Sequence, residues 1–418
     1  MANIAHQMER LLPHDALTAL RQAGQLAAGP DSHARELYLV GGPVRDIFLG
    51  VAPRDLDFSV AGDGEAFARA LAAHLGGHVS ARSEFGTARL EVKSLVIDVA
   101  TARYERYASP GTLPIVTPAG IHEDLARRDF TVNAMAVSLM PDHWGDLLDP
   151  CAGQADIVRG VVRVLRDRSF QDDPTRIFRA VRYSARLGFV LETSTQAHLV
   201  RDLEFIDRLS PARVTAELHK LLLEPRRAAA FKLADELGVL AAVHPSLRTS
   251  MAVLHPLEKG EPSVDPVLYH LALLTSTLAP HDASALIARL TPPSDWREVI
   301  DAVPRLASIA PLLEQREITG SEIVRLLDAI PLPVVEAQRD IAPMTRRKER
   351  LATYLTTLRH VHPALTGDDL IAAGVPQGPL VGKLLGELRD ALLDGKLHSK
   401  DDEAAYVRRR LPELTRTN

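Results

Sequence analysis

Hydrophobic and polar positions divide the chain into two parts. Between Glu36 and about Leu165, short β-branched segments predict strands: ELYLV, LDFSV, ARLEV, SLVIDVATA and VVRVL. Between the second and third of them, GEAFARALAAHL has the apolar period of a helix. From about Ser169 onward, helical periodicity continues to the end and is interrupted repeatedly by Pro and Gly. The pattern predicts an α+β head followed by a long series of short helices.

The same Pro- and Gly-containing interruptions predict a finer division of the chain. An amphipathic helical pattern at the N-terminus is followed by the connection AAGPDSHA, which separates it from the first predicted strand. We expect five segments: an N-terminal helix (1–34), a head (35–165), a helical neck (166–225), a helical body (226–330) and a helical tail (331–418).

Composition and charge narrow the classes of function. The 418 residues are 46% apolar and 25% charged, as in globular proteins, and one cysteine excludes a disulfide framework. No apolar run is long enough to span a membrane, and the N-terminus lacks a signal-peptide pattern, so we expect a cytoplasmic protein. The net charge of −5 excludes bulk attraction of a polyanion. However, 14 Lys and Arg against 9 Asp and Glu between Arg159 and Arg227 favour a local site for RNA or a triphosphate.

The segment LVGGPVRDIFLG contains a candidate phosphate loop. A predicted strand ends at Gly41 and Gly42, and Pro43 follows where a helix can begin. Glycines let a backbone approach a ligand closely, and Arg45 lies on the first helical turn, where it can add a charged contact. An ordinary junction between strand and helix has the same pattern, so the segment alone leaves both interpretations open.

Two aspartates follow in the next predicted strand. Positions i and i+2 share a face of a strand, so Asp55 and Asp57 point the same way and can ligate the same pair of Mg²⁺ ions. Asp98 lies among apolar residues of a later strand, where a charge needs a partner or a metal. A solvated pair at a strand edge, and a structural hydrogen bond for Asp98, are the alternatives.

A row of arginines lies at the start of the helical part. Asp173 and Pro174 form a typical helix start, with the carboxylate as N-cap. Intervals of three, three and four residues then place four arginines on one side of the helix, and no carboxylate interrupts them: Arg176, Arg179, Arg182 and Arg186. Their mutual repulsion predicts an anion beside this helix.

These motifs together resemble the class II tRNA nucleotidyltransferases, the CCA-adding enzymes, and the similar bacterial poly(A) polymerases. The resemblance also rests on EDLARRDFTVNA (123–134), DPCAGQADIVRG (149–160), QDDPTRIFRAVRYSARLGF (171–189) and LSPARVTAELHKLL (209–222). It implies a head of the polymerase-beta type and a metal-dependent enzyme. The residues implied for metal binding are Asp55 and Asp57; those implied for the nucleotide are Gly42, Arg45, Arg128, Asp173, Arg176, Arg179 and Arg182.

The base is implied to pair with protein side chains. Cytosine and adenine each offer an amino donor beside a ring-nitrogen acceptor, which Asp173 and Arg176 can match. Uracil and guanine present a carbonyl and a ring N–H there, and they leave both groups mismatched. We therefore expect CCA addition to the acceptor end of tRNA from CTP and ATP.

Three alternatives stay open at this point. The segment ARYERYASPGTLPIVTPAGIHED is rich in Pro and Gly, whereas similar CCA-adding members often carry a flexible charged loop there, so addition of CC or A alone is one alternative. The other two are a poly(A) polymerase, which shares these motifs, and an RNA-binding protein without catalysis. Intact Asp55, Asp57, Asp173 and Arg176 argue against the last.

The helical remainder suits recognition of duplex RNA by shape and phosphates. Its basic clusters, Arg346 to Lys348 and Arg408 to Arg410, either contact tRNA or are solvated helix surface. His281 and Asp282 lack the flanking pattern of an HD phosphohydrolase, so we expect no such site.

Overall fold

The computed structural model describes residues 2–30, 32–53, 55–82, 86–258 and 262–415, with side chains through residue 412. In these ranges the chain divides into two compact units. One contains residues 1–217 and 224–242, and the other contains 218–223 and 243–418. The five segments expected from the sequence are a finer division and stay a prediction.

The first unit is built on a mixed sheet. Seven strands of the described chain pair in the order β3-β4-β5-β2-β1-β8-β9, and two short pairs, β6 with β7 and β10 with β11, lie outside it. The strands are β1 (Ala34–Val40), β2 (Leu56–Gly62), β3 (His78–Arg82), β4 (Thr87–Val92), β5 (Leu95–Thr101), β6 (Arg103–Arg106), β7 (Ile115–Pro118), β8 (Ala136–Ser138), β9 (Leu147–Leu148), β10 (Val161–Val162) and β11 (Val190–Leu191).

Helices occupy most of the remainder. Up to Val243 they are α1 (Ala5–Leu11), α2 (His14–Ala27), α3 (Gly42–Phe48), α4 (Gly64–Leu75), α5 (Ile121–Ala126), α6 (Gly153–Arg159), α7 (Ser169–Asp172), α8 (Thr175–Leu187), α9 (Thr193–Arg201), α10 (Pro211–Leu222), α11 (Arg227–Glu236) and α12 (Val239–Val243). After it they are α13 (Met251–Glu258), α14 (Pro266–Leu274), α15 (Pro280–Leu290), α16 (Ser294–Ile309), α17 (Gly320–Leu327), α18 (Leu332–Ile341), α19 (Arg346–Thr356), α20 (Gly367–Ala372), α21 (Pro379–Leu393) and α22 (Lys400–Thr415). The predicted α+β head with a helical remainder is confirmed. Within the described ranges, every helix is too short or too polar to cross a membrane.

The two faces of the central strands differ in character. Leu39 pairs with Phe58 across β1 and β2, and Phe58 pairs with Val99 across β2 and β5; all three are buried. The helices α2 and α4 pack against these strands. Because side chains alternate along a strand, Asp57 and its cross-strand partner Asp98 point to the opposite face. The register therefore places both carboxylates on the side away from the apolar core.

Some local predictions differ from the structure. The N-terminal segment forms two helices, α1 and α2, because Pro13 interrupts the helical pattern between them. The segment VVRVL contributes only the two-residue strand β10. The strands β3, β6, β7, β8 and β9 were not predicted; each has five residues or fewer, and segments this short carry little periodic signal.

Candidate active site

Carboxylates from two neighbouring strands meet on the polar face of the sheet. Asp57 in β2 lies opposite Asp98 in β5, and Asp55, which is exposed, lies just before β2. Arg89 of β4 donates from Nε to Asp98 Oδ1 at 2.8 Å and from Nη2 to Oδ2 at 2.7 Å. Both Asp98 oxygens are thus engaged by one guanidinium, which gives this carboxylate a partner from within the sheet.

Asp57 has a different environment. Burial and the nearby Asp98 charge raise the pKa of the Asp57 carboxyl to about 6, Asp55 adds to the shift, and Arg128 opposes it. In the described part of the chain, neither Asp55 nor Asp57 accepts a hydrogen bond or forms an ion pair. This excess of negative charge without a partner favours a bound cation.

The donor set fits a hard divalent cation. Mg²⁺ prefers carboxylate oxygens and is often held by one or two carboxylates together with substrate phosphates. Asp55 and Asp57 offer such a pair. No group of three or more His, Cys, Asp or Glu side chains in the described ranges is arranged to hold a metal. The role considered for Asp98 as a third ligand stays a prediction, and it would require Arg89 to release the carboxylate.

The glycine loop forms where the sequence predicts it. Gly41 follows β1 with φ +72°, and Pro43 lies in the first turn of α3. A Cβ on Gly41 would lie 2.7 Å from Nη1 of Arg128, so this position needs glycine both for its backbone and for the guanidinium packed on it. Arg45 is buried and donates to Asp46 and, at 2.8 Å, to Asn133 Oδ1. Arg45 therefore supports the glycine loop through its contacts with Asp46 and Asn133.

The two arginines of the R-R-D segment, which consists of Arg127, Arg128 and Asp129, are fixed by a buried acid. Asp124 accepts from Arg127 Nη2 at 2.6 Å and from Arg128 Nη2 at 3.0 Å. Burial alone would raise the pKa of Asp124, but the charges of Arg128 and Arg127 outweigh it and hold this pKa below its usual range. Arg128 also donates to the carbonyl of Asn133. The acid thus orients both guanidiniums before any ligand binds.

Helix α8 begins one residue later than predicted. Its first residue is Thr175, and Asp173 Oδ1 accepts from the Thr175 amide at 3.2 Å and from Thr175 Oγ1 at 2.7 Å. The predicted capping role of Asp173 is therefore present. Arg176 is buried; its guanidinium donates to Ser169 Oγ and to the carbonyl of Arg127, each at 2.7 Å. Arg176 thus ties the helix to the R-R-D segment.

The remaining arginines of the row form ion pairs with carboxylates from distant parts of the sequence. Arg179 pairs with the buried Asp129 at 2.6 Å, while Arg182 and Arg186 share Glu224 at 2.7 and 2.6 Å. The anion expected beside this row is supplied by the chain's own carboxylates for Arg179, Arg182 and Arg186. Sequence spacing along one helix cannot reveal acids that lie about 40 residues away.

Several of these groups line one cavity of about 440 Å³. The predicted site residues that line it are Gly41, Gly42, Asp57, Arg128, Asp173, Arg176 and Arg179. A smaller adjoining cavity is lined by Asp57, Asp98 and Arg128 among others. Three predicted residues line neither cavity: Asp55, Arg45 and Arg182. The nucleotide contacts expected for Arg45 and Arg182 stay a prediction.

The cavity also contains groups that sequence reasoning did not single out. Tyr183 lies within 5.3 to 5.8 Å of the guanidinium carbons of Arg45, Arg179 and Arg186, and it lines the cavity. Arg213 of α10 donates from Nη2 to Asp173 Oδ1 at 2.7 Å. The signal for Arg213 was present in LSPARVTAELHKLL, but nothing in that segment indicates which of its side chains reaches Asp173.

The chain matches two family models and is similar to solved structures over nearly its whole length. Residues 37–163 match a model described as the poly A polymerase head domain, and residues 188–251 match one described as a probable RNA and SrmB-binding site of polymerase A. The solved structure of a CCA-adding enzyme in complex with CTP has a TM-score of 0.81 and 26% identity, with 99% of each chain covered. A CCA-adding enzyme in its apo form II has a TM-score of 0.83 and 26% identity, covering 100% of this chain and 99% of that one.

Curated relatives are similar over most of the chain. The A-adding tRNA nucleotidyltransferase of Halalkalibacterium halodurans is 30% identical, covering 97% of this chain and 95% of that protein. The CC-adding tRNA nucleotidyltransferase of Deinococcus radiodurans is 33% identical over 91% and 90%. The A-adding enzyme of Geobacter sulfurreducens is 33% identical over 96% of this chain, which spans only 48% of that relative. The chain belongs to the tRNA nucleotidyltransferase family.

Proposed function

We propose that this chain adds nucleotides to the 3′ end of tRNA, using CTP and ATP to complete the CCA sequence and releasing pyrophosphate. The observation that carries the proposal is the convergence of Asp57, Arg128 and Asp173 on one cavity. Strand β2, the R-R-D segment and the start of α8 are distant in sequence. Their convergence supplies acidic, phosphate-binding and base-reading chemistry within reach of a single nucleotide.

The acidic part of the site serves the transfer step. The 3′-hydroxyl of the tRNA attacks the α-phosphorus, the new phosphodiester bond forms, and the bond to pyrophosphate breaks. Asp55 and Asp57 would hold Mg²⁺, which when bound supplies charge stabilisation and lowers the pKa of the attacking hydroxyl. The chain itself contributes the charge cluster that makes Asp57 ready to accept a cation. Arg89 keeps Asp98 paired and so limits the repulsion around it.

The basic part of the site serves the triphosphate. Arg128 lies against Gly41, where a side chain would collide with it, so the guanidinium and the exposed backbone of the loop face the same space. Asp124 holds Arg128 in place, which reduces the entropy that a flexible arginine would lose on binding an anion. Arg179 lies at the same cavity, but its charge is already matched by Asp129.

Base selection is assigned to Asp173 and Arg176. In the described chain, the hydrogen bonds to the Asp173 side chain all end on Oδ1, so Oδ2 is available to accept from the exocyclic amino group of cytosine or adenine. Arg176 lines the same cavity and provides guanidinium donors. Uracil and guanine carry a carbonyl at that position, and this carbonyl would face a carboxylate. Polar sites strongly reject such a mismatch.

Addition of A alone is a second candidate. The curated relatives described above include two A-adding enzymes, and the segment in which CCA-adding members often carry a flexible charged loop is held in place here. Within that segment, the carbonyl of Gly111 accepts from Arg213 Nη1 at 2.7 Å. A loop held in one position favours selection of a single base, whereas addition of both C and A requires the site to change its selectivity.

The products made from defined tRNA ends separate these candidates. Purified protein is incubated with tRNAs ending in N, NC and NCC, with CTP, ATP or both, and the products are sequenced. We expect CCA from all three ends; extension only of the NCC end by one A would establish the second candidate. Long A tails on a generic RNA would instead indicate a poly(A) polymerase. The protein carrying Asp55→Ala and Asp57→Ala is the matched control for contaminating activity.

A further inference from the structure

A row of three charged residues crosses three neighbouring strands of the sheet. Arg89 in β4 lies directly opposite Asp98 in β5, and Asp98 lies directly opposite Asp57 in β2. Neighbouring strands are about 4.8 Å apart, and residues paired across them point to the same face. Asp98 therefore has a guanidinium on one side and a second carboxylate on the other.

Arg89 engages both oxygens of Asp98. The guanidinium donates from Nε to Oδ1 at 2.8 Å and from Nη2 to Oδ2 at 2.7 Å. Such a two-point contact fixes the plane of a carboxylate, and here it draws both oxygens toward β4. Asp57 lies on the opposite side, in β2. A divalent cation at Asp57 therefore gains full access to Asp98 only when this carboxylate gives up the guanidinium.

The surroundings of the pair allow this exchange. A cavity of about 360 Å³ is lined by Asp57, Asp98, Arg89 and Arg128 among others, so a hydrated cation has room beside both carboxylates. The side chain of Arg89 is 52% exposed and that of Asp98 is 26% exposed. A guanidinium released from Asp98 can therefore be hydrated, and its release does not leave a positive charge buried without a partner.

The strengths of the two interactions favour the cation. Water screens an ion pair between partly exposed groups, so such a pair changes an equilibrium constant by about fivefold or less. A divalent cation between Asp57 and Asp98 carries twice the charge of a guanidinium and attracts both carboxylates at short range. Arg89 lies on the far side of Asp98 and compensates only that carboxylate directly.

We propose that Arg89 is an exchangeable counter-ion that sets the cation affinity of the site: a divalent cation at Asp55 and Asp57 displaces it from Asp98, which then joins the ligands. The inference rests on the proposed function, because it concerns the cation that Asp55 and Asp57 are proposed to hold. Arg89 is a positioning residue, since it acts through Asp98 and not on the reacting atoms. Breaking the ion pair subtracts from the affinity for the cation.

The sign of the effect of Arg89→Ala distinguishes exchange from ordinary support. Removing a residue that merely orients a ligand lowers metal affinity about 10- to 100-fold. Exchange predicts the opposite: Arg89→Ala should raise the affinity for Mg²⁺ by about tenfold, since the competitor and its positive charge are lost. Arg89→Lys keeps the charge but cannot hold both oxygens in a fixed fork, so its affinity should lie between those of the wild type and Arg89→Ala.

The affinity is measured without nucleotide or RNA. One readout is the Mg²⁺ concentration that gives half of the maximal rise in melting temperature of the full chain. The other is the dissociation constant of Mn²⁺, taken from the electron paramagnetic resonance signal of the free ion. The melting temperature in metal-free buffer shows that each variant is folded. Arg89 is half-exposed, so both of its variants should fold.

A double variant separates exchange at Asp98 from a general effect of charge. Asp98→Asn should lower the affinity for Mg²⁺, and adding Arg89→Ala to it should then cause no further change. If Arg89 acted only through its charge, its removal would raise the affinity equally in both backgrounds. Arg82→Ala is the matched control, because Arg82 in the neighbouring strand β3 is similarly exposed but pairs with Glu65. Its affinity should stay within about twofold of the wild type.

Nucleotide addition to tRNA is assayed on the same preparations, so the inference and the proposed function can fail separately. An unchanged or lowered cation affinity in Arg89→Ala, an equal gain in the Asp98→Asn background, or a wild-type protein that binds neither Mg²⁺ nor Mn²⁺ would each overturn the inference, even if tRNA is extended. A protein that extends no tRNA, but in which Arg89→Ala raises the affinity only when Asp98 is present, would refute the proposed function and keep the inference.

Discussion

The start of strand β2 and helix α8 both carry like charges close together, but they differ in how those charges are compensated. On the helix, Arg179 pairs with Asp129, and Arg182 and Arg186 share Glu224. At the strand, Asp57 in β2 and Asp55 just before it lack such partners in the described chain, and the pKa of Asp57 rises to about 6. A row of like charges therefore indicates a ligand only where the fold has not supplied the counter-charges itself.

The charged residues of these motifs therefore fall into two groups: those that the fold pairs with an opposite charge and those that it leaves unpaired. Paired arginines contribute to stability and shape, because removing one leaves a buried acid without its partner. Unpaired carboxylates reduce stability and are retained for what they bind. Substitutions on the strand should thus affect chemistry more than folding, and substitutions on the helix should do the reverse.

The largest effect is expected for the carboxylate pair. Asp55→Ala combined with Asp57→Ala should reduce nucleotide addition by at least about 1,000-fold, since the transfer step loses its proposed cation ligands. The affinity for tRNA should stay nearly unchanged, because the helical part of the chain, which is expected to recognise duplex RNA, is intact. Primer extension and filter binding on the same preparation measure both. Retained turnover would refute the assignment of the metal ligands.

The next effect concerns the helix. Arg179→Ala should lower the free energy of unfolding by about 3 kcal/mol at neutral pH, because Asp129 would keep a buried charge without its strongest partner. Arg186→Ala is the matched control. Glu224 keeps its ion pair with Arg182 when Arg186 is removed, so we expect a loss of only about 1 kcal/mol or less. Urea unfolding of each variant gives the comparison.

The pH dependence of this loss provides an independent check. Burial acts to raise the pKa of Asp129, but Arg179 and Arg176 outweigh it and hold the pKa below its usual value of 3.8. The pair therefore stabilises the fold above about pH 4, and this contribution is lost as the pH falls through the lowered pKa. Equal destabilisation of Arg179→Ala at pH 7 and well below pH 3 would contradict the ion-pair explanation.

Sequence reasoning was more successful with local features than with long-range pairs. The strand carrying Asp57, the glycine at the end of β1 and the capping acid Asp173 follow from periodicity and backbone chemistry, and the structure has all three. The partners of Arg179 and Arg182 lie 50 and 42 residues away, and Arg213 reaches Asp173 across 40 residues. Such pairs depend on how elements pack, which a single sequence does not specify.

Arg176 does not fit either side of the comparison between strand and helix. It is buried and donates to backbone carbonyls, as a structural residue does, but it also lines the cavity. We expect Arg176→Ala to relax selection against UTP and GTP by about 10- to 100-fold, since the proposed donor to the base is lost. Ser169→Ala removes one acceptor of the same guanidinium and should change stability alone. Unchanged discrimination in Arg176→Ala would show that this arginine is purely structural.

The smallest effect concerns the stability cost of Asp57. Its pKa is about 6 in the folded chain against 3.8 ordinarily, so the folded protein binds more protons between these values and its stability falls as the pH rises through them. The cost is fully present above about pH 6. Asp57→Asn removes it and should stabilise the protein by about 1–2 kcal/mol at pH 8, with no gain below about pH 4, allowing for partial exposure of the carboxyl.

Magnesium distinguishes this cost from a general effect of the substitution. Mg²⁺ should raise the melting temperature of the wild-type protein at pH 8, because a cation bound to the folded state relieves the repulsion, and it should have little effect on Asp57→Asn. Asp55→Asn is the control: Asp55 is exposed, so its replacement should gain less stability in the absence of metal. If Asp57→Asn were less stable than the wild type in metal-free buffer at pH 8, the carboxylate would be structural, and strand and helix would not differ in the way their charges are compensated.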